Sequence, residues 1–235
     1  MQGSAGTATS YLLALLLCVG ALQPETGHAT TTGQATSVPE WHEISTARGD
    51  LNGDGRPDVA TVAVNEVAAK ATDQKTVGGL GYYRLMLRLT EPGGGSRLVL
   101  TNDAFLAPPD PNGTNDDPLE SDAVRIDRGS LVINRNFLRG HYSYRFRWSQ
   151  GSLKLIGYDF IGSDGRCISE ISVNYLTRKV SIETEALGEG AEVRRFSRRI
   201  KRGPVTIEEA SSADFHPLRD MVGPPTYCIF EGQRV

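Results

Sequence analysis

His141-Tyr142-Ser143-Tyr144-Arg145-Phe146-Arg147-Trp148-Ser149-Gln150-Gly151-Ser152-Leu153-Lys154-Leu155-Ile156-Gly157-Tyr158 is the stretch that decides the fold class. Tyr142, Tyr144, Phe146 and Trp148 fall on one side of it, and Ser143, Arg145 and Arg147 fall on the other. A repeat of two is the signature of a strand, whose successive side chains point to opposite faces. Gln150-Gly151 then reads as a two-residue hairpin turn into a second strand over 153–158. The aromatic side of such a strand is either core or a ligand-stacking platform, and aromatic strand faces are more often core.

The same pattern extends in both directions. Tyr83, Leu85, Leu87 and Leu89 alternate with Arg84, Met86 and Arg88. Leu98-Val99-Leu100 follows a Gly93-Gly94-Gly95 turn, and Arg128-Gly129 turns Val124–Asp127 into Leu131-Val132-Ile133. Ile168 to Tyr175 and Val180 to Ala186 are joined through Leu176-Thr177-Arg178-Lys179. Strands with one apolar and one polar face, linked by short turns, build antiparallel sheets packed on one side. About ten to twelve of them predict an all-β fold, a sandwich or an open barrel, because a flat sheet that wide would leave long edges exposed. Only Asn65–Ala71 and Thr206–Ala213 suit short helices.

The N-terminus reads as a targeting segment. Tyr11 to Leu22 is mostly apolar, too short to span a membrane and of the length of a signal-peptide core. Gly27-His28-Ala29 places small residues at the −3 and −1 positions of a cleavage site, although no Lys or Arg precedes Arg48. The expected organisation is a signal peptide over 1–29, a flexible Thr/Gly/Ser-rich lead-in over 30–40 and a single β domain over 41–235. That predicts export to the periplasm or beyond the cell, with no transmembrane helix in the mature chain. Cys18 offers a lipid anchor as the lesser alternative, since Leu17 is large where a small residue should precede a lipidated cysteine. Net charge is −3 for the whole chain, and removing Glu25 with the leader leaves −2, so bulk charge selects no partner. Cys167 and Cys228 would then be the only cysteines, which in an exported chain suggests one disulfide.

One stretch declares chemistry. In Gly49-Asp50-Leu51-Asn52-Gly53-Asp54-Gly55-Arg56-Pro57-Asp58, oxygen-bearing side chains stand at Asp50, Asn52, Asp54 and Asp58, positions 1, 3, 5 and 9 of a loop. Calcium is a hard cation that takes six to eight oxygens, and a short loop supplies them by turning alternate side chains inward. Gly55, at position 6, permits the sharp turn, and the Arg56 carbonyl follows at position 7. An Asn/Asp/Gly-rich turn without metal is the plain alternative, but it does not account for all four placements together. An EF-hand is excluded because Thr61 stands where the bidentate Glu belongs, and Val59-Ala60-Thr61-Val62-Ala63-Val64 reads as a strand.

Such a loop between strands resembles the calcium loop of FG-GAP (VCBS, integrin-α-like) repeats. The resemblance implies a Ca²⁺ ion held by the side chains of Asp50, Asn52, Asp54 and Asp58 and by the Arg56 carbonyl. That family repeats its unit to build a propeller. Here Asp110–Asp117 and Ser163-Asp164-Gly165 are poor copies, so a propeller is not expected. The blocks Tyr142–Phe146, Leu155–Asp159 and Ser172–Thr177 look like the C-terminal half of small exported bacterial proteins that carry one such loop. Arg178 stands where a glycine is expected in that turn.

The remaining candidates are weaker. Arg194, Arg195, Arg198, Arg199, Lys201 and Arg202 form a basic run that could meet an anionic surface, but Glu183, Glu185, Glu189 and Glu192 nearby favour a solvated, balanced strand. His42, His141 and His216 show no metal-ligand spacing, and no nucleophile elbow, zinc-binding helix or phosphate loop is present. Three classes of function remain: a calcium-stabilised binding module for a protein or polysaccharide partner, an exported hydrolase acting on wall polymers, and an inhibitor-type protein. The module is the reading favoured, and nucleic acid is disfavoured as its partner.

Overall fold

A computed structural model describes residues 40–67, 82–106, 118–188 and 192–222. Twelve strands run through them: β1 (Trp41–Gly49), β2 (Asp58–Asn65), β3 (Tyr83–Thr90), β4 (Ser96–Asn102), β5 (Val124–Asp127), β6 (Ser130–Phe137), β7 (Gly140–Ser149), β8 (Ser152–Ser163), β9 (Cys167–Asn174), β10 (Lys179–Ala186), β11 (Val193–Arg199) and β12 (Val205–Thr206). The smaller sheet has the order β1-β2-β3-β4, and the larger runs β11-β10-β9-β8-β7-β6-β5 with β12 on β8. Every pairing is antiparallel. The fold is therefore nearly all-β, of the sandwich kind, with no closed barrel, as the periodicity predicts.

The two sheets share one core. Val62, Leu85 and Leu87 from the smaller sheet lie with Leu131, Ile133, Phe146, Leu153 and Leu155 from the larger, all fully shielded from solvent. In β3 the alternation predicts the buried face, and Tyr83, Leu85, Leu87 and Leu89 are indeed buried. In β7 only Phe146 is fully buried. Tyr142, Tyr144 and Trp148 sit half-covered at the margin of that core, where Tyr144 meets Tyr158 at 5.2 Å and Phe105 at 5.0 Å between ring centroids.

Local geometry joins the sheets at β1 and β5. The pairing of β1 slips between Glu43 and Ser45. The freed Ser45 hydroxyl donates to the Ser121 carbonyl at 2.8 Å and accepts from the Val124 N–H at 3.1 Å. At Gly49 the backbone lies so close to β5 that a Cβ there would fall 2.7 Å from Ile126 Cγ2.

The hairpin turns follow the sequence. Gln150 and Gly151 both have positive φ between the paired Ser149 and Ser152, as do Arg128 and Gly129 between Asp127 and Ser130. Both are the twist-matched turns that need two left-handed residues. Arg178 also takes a left-handed φ, of 55°, at a position where glycine would be free of the roughly 1–2 kcal/mol penalty. Among the described residues the one complete helix is α1 (Ile207–Ala210), shorter than the expected Thr206–Ala213. Thr206 caps it and Glu209 completes a capping box, which fixes its start; it ends at Ser211. Of Asn65–Ala71, residues 66 and 67 are helical and the rest lie outside the described residues. The leader, residues 30–39 of the lead-in and Asp110–Asp117 also lie outside them.

Cys167 is fully buried and disulfide-bonded, and Cys18 and Cys228 fall outside the described residues. Among the described residues no helix is long and apolar enough to cross a membrane.

Candidate metal centre

The loop over residues 50–57 connects β1 to β2, and the pairing of Gly49 with Asp58 closes it at the base. Strands flank it on both sides. Gly53 and Gly55 each have φ of 82°, the left-handed region that turns the chain sharply enough to bring Asp50 back over its own loop.

Asp50 organises the exposed half. Its Oδ1 accepts from the Gly53 N–H at 2.7 Å and the Asp54 N–H at 3.1 Å, and its Oδ2 accepts from the Gly55 N–H at 2.8 Å. Asn52 Oδ1 accepts a second bond from the Asp54 N–H at 3.0 Å. Asp54 accepts the Arg56 N–H at 2.9 Å, the Asn52 side-chain amide at 3.0 Å and the Arg56 guanidinium at 2.9 Å. These donors, the Arg56 N–H foremost, hold the Asp54 carboxyl below its ordinary range.

Asp58 has a different environment. It is fully buried, and its Oδ2 accepts from the N–H groups of Leu51 at 3.0 Å and Asn52 at 3.2 Å. Its Oδ1 accepts the Thr90 N–H at the end of β3 at 2.9 Å, while the Thr90 hydroxyl donates to the Pro57 carbonyl at 2.5 Å. One buried carboxylate thus ties the loop to a third strand. Spacing within the loop does not predict this tie, although the strand pattern carries a signal of it. Period two places Asp58 on the same side as Ala60 and Val62, both wholly buried.

The structure brings Asp50, Asn52, Asp54 and Asp58 onto one loop, and the hydrogen bonds above link all of them. It does not gather three acidic, imidazole or thiol groups into a ready cation cage among the described residues. Each carboxylate oxygen here takes one or two hydrogen bonds, and a carboxylate has about four acceptor sites. The donor set is all oxygen, which suits a hard cation. The residues therefore fit an ion in chemistry, while Arg56 supplies the positive charge beside Asp54.

The other candidates resolve into ion pairs or surface. Arg195 grips Glu183 through two bonds of 2.8 Å, Arg194 grips Glu192 through two of 3.0 Å, and Arg202 meets Asp220 at 2.6 Å. That is the balanced reading for Arg194, Arg195 and Arg202, whereas Arg198, Arg199 and Lys201 have no ion pair among the described residues. His42, His141 and His216 are exposed. A shallow cavity of about 450 Å³ is lined by Asp159, Glu170 and Glu183. Two of these are committed, Glu183 to Arg195 and Asp159 to the Ser172 hydroxyl at 2.6 Å. No protein-family model, curated protein or solved structure matches the chain.

Proposed function

We propose that this is an exported binding module whose β1–β2 loop takes one calcium ion and is stiffened by it. The observation carrying the reading is the exposed loop itself. Asp50, Asn52 and Asp54 stand at its mouth, drawn together by bonds to the loop's own amides, and strands lie on either side. The resemblance to FG-GAP loops, which rests on these dozen residues, assigns Asp50, Asn52, Asp54, Asp58 and the Arg56 carbonyl as the set that would hold Ca²⁺. The ion would supply charge neutralisation for three carboxylates within nine residues. Asp50 shapes the backbone around the position, and Asp58 passes its rigidity to β3 through Thr90. Export rests on the apolar run Tyr11–Leu22 and the small residues before Thr30.

The test is thermal unfolding in millimolar calcium and in chelator. Binding to the folded state alone raises stability by about 2.7 kcal/mol at a hundredfold excess over Kd. At roughly 2–4 °C per kcal/mol for a domain of this size, the melting temperature should rise by about 5–10 °C. Asp54→Ala, at an exposed position, should fold and lose the shift. Superimposable melts for the unaltered protein would end the proposal.

A further inference from the structure

The face of the larger sheet turned away from the core carries a line of positive charge. The pairing registers align Arg125 of β5, Arg145 of β7, Lys179 of β10 and Arg199 of β11 in one row perpendicular to the strands. Six strand intervals at about 4.8 Å give the row a span of roughly 29 Å. All four side chains are exposed. Among the described residues only Arg145 has an ion pair, a long one of 3.7 Å to Asp159. Lys179 and Arg199 stand directly opposite each other. Like charges opposed across a ladder cost stability, so folding gives no reason for that pair.

The middle of the row is concave. Gly157 continues it between Arg145 and Asn174 and contributes no side chain. A cavity of about 430 Å³ opens there, lined by Arg128, Arg145, Arg147, Ser172 and Asn174 together with the carboxylates of Asp127 and Asp159. Beside the cation row, the registers set a second row of short polar side chains: Asn134, Ser143, Asp159, Ser172, Ser181 and Ser197. Its one carboxylate, Asp159, is the partner of Arg145. Neither row holds an aromatic ring.

We propose that this face binds an acidic polysaccharide, its carboxylates along Arg125, Arg145, Lys179 and Arg199 and its hydroxyls against the serine row. The cation row calls for an extended polyanion laid along it, on the side of the serines away from Glu170 and Glu183, which the registers set in the next row. The absence of rings from both rows selects against single-stranded nucleic acid, which relies on bases stacking on aromatic side chains. Hydroxyl-rich sugars need hydrogen-bonding side chains instead, and those are what the second row presents. The inference rests on the binding-module reading and gives it a ligand class; the β5–β6 turn that borders the cavity also lies beside the calcium loop, where a Cβ on Gly129 would fall 3.8 Å from the Asp50 carbonyl oxygen.

The experiment titrates the full chain with polygalacturonate oligomers in chelator, against neutral dextran and a single-stranded oligonucleotide of equal charge. Calorimetry should show binding to the polyuronate alone, weakening as salt screens the charges. Arg145→Ala/Arg147→Ala/Lys179→Ala should weaken it by about tenfold or more. Arg195→Ala, whose arginine is occupied by Glu183, should leave it unchanged. Lys179→Ala alone should weaken binding while its melting temperature holds or rises, which separates a ligand contact from a folding role. No binding of polyuronate, equal or tighter binding of the oligonucleotide, or full affinity in the triple variant would overturn the proposal. Because chelator is present throughout, none of these outcomes bears on the calcium loop.

Discussion

Two acidic turns in this molecule solve the same local problem with different means. After β8, one oxygen of Asp164 accepts the Arg166 N–H at 2.8 Å and the Cys167 N–H at 3.1 Å, and the turn is complete. Between β1 and β2, the side chains of Asp50, Asn52, Asp54 and Asp58 serve the amides from Leu51 to Arg56, and the Asp54 amide is served twice. Backbone satisfaction alone does not call for so much negative charge. The three carboxylates repel, and the Arg56 guanidinium is the only cation within ion-pair distance of any of them among the described residues. That surplus separates a turn from a candidate ion site.

The contrast can be broken most forcefully at Asp58. Asp58→Ala leaves three N–H donors without their acceptor, and at about 1–3 kcal/mol for each unsatisfied group the loss should be about 3 kcal/mol or more. Asp164→Ala, on an exposed turn, should cost about 1 kcal/mol. Denaturant titration of both variants measures the difference, and equal costs would remove Asp58 from its anchoring role.

Calcium should sharpen the contrast next. Asp164→Ala should keep the full calcium-dependent rise in melting temperature that Asp54→Ala loses, so a scan of both variants with and without calcium assigns the effect to one loop.

Acid should touch both turns alike. The N–H donors of Arg56 and of Arg166 hold the carboxyls of Asp54 and Asp164 below the ordinary 3.8. A lowered folded value gives stability that is present above 3.8 and lost as pH falls through the folded value. At the other extreme, burial raises the Tyr175 phenol above its ordinary 10.0, so its contribution is present below pH 10 and lost as pH rises beyond. A melting-temperature profile should fall as pH drops below 3.8 and again as it rises past 10. Stability that holds as pH falls below 3.8, or as it rises past 10, would contradict these assignments.

The smallest effect concerns Arg56. Its side chain competes for Asp54, while the resemblance uses only its carbonyl. Arg56→Ala should therefore tighten calcium binding by about twofold to fivefold, the scale of an exposed ion pair. Weaker binding would show that the guanidinium helps to shape the site.

Much of the fold is legible in the amino-acid sequence. The period of two in β3 and β7 marks both strand identity and buried face, because a pleated strand has no freedom in which way alternate side chains point. Gln150-Gly151 and Arg128-Gly129 mark the hairpins, since local sterics settle a two-residue turn. What escapes is non-local. The bond from Thr90 to Asp58 depends on which strand lies beside β2, and spacing within one loop is silent on that. The cation row escapes for the same reason, because Arg125, Arg145, Lys179 and Arg199 become neighbours only through the registers of successive hairpins. The expected helix over Thr206–Ala213 is too long because it closes at Ser211, whose hydroxyl bonds back to the Ile207 carbonyl at 2.6 Å, and tight turns follow.

The central claim is that the β1–β2 loop takes a calcium ion, and equilibrium dialysis against radioactive calcium tests it most directly. The account requires about one ion bound per chain at millimolar calcium, with Asp50→Ala/Asp54→Ala reduced to background and Asp164→Ala unaffected. Background counts for the unaltered protein, or full binding by the double variant, would contradict it.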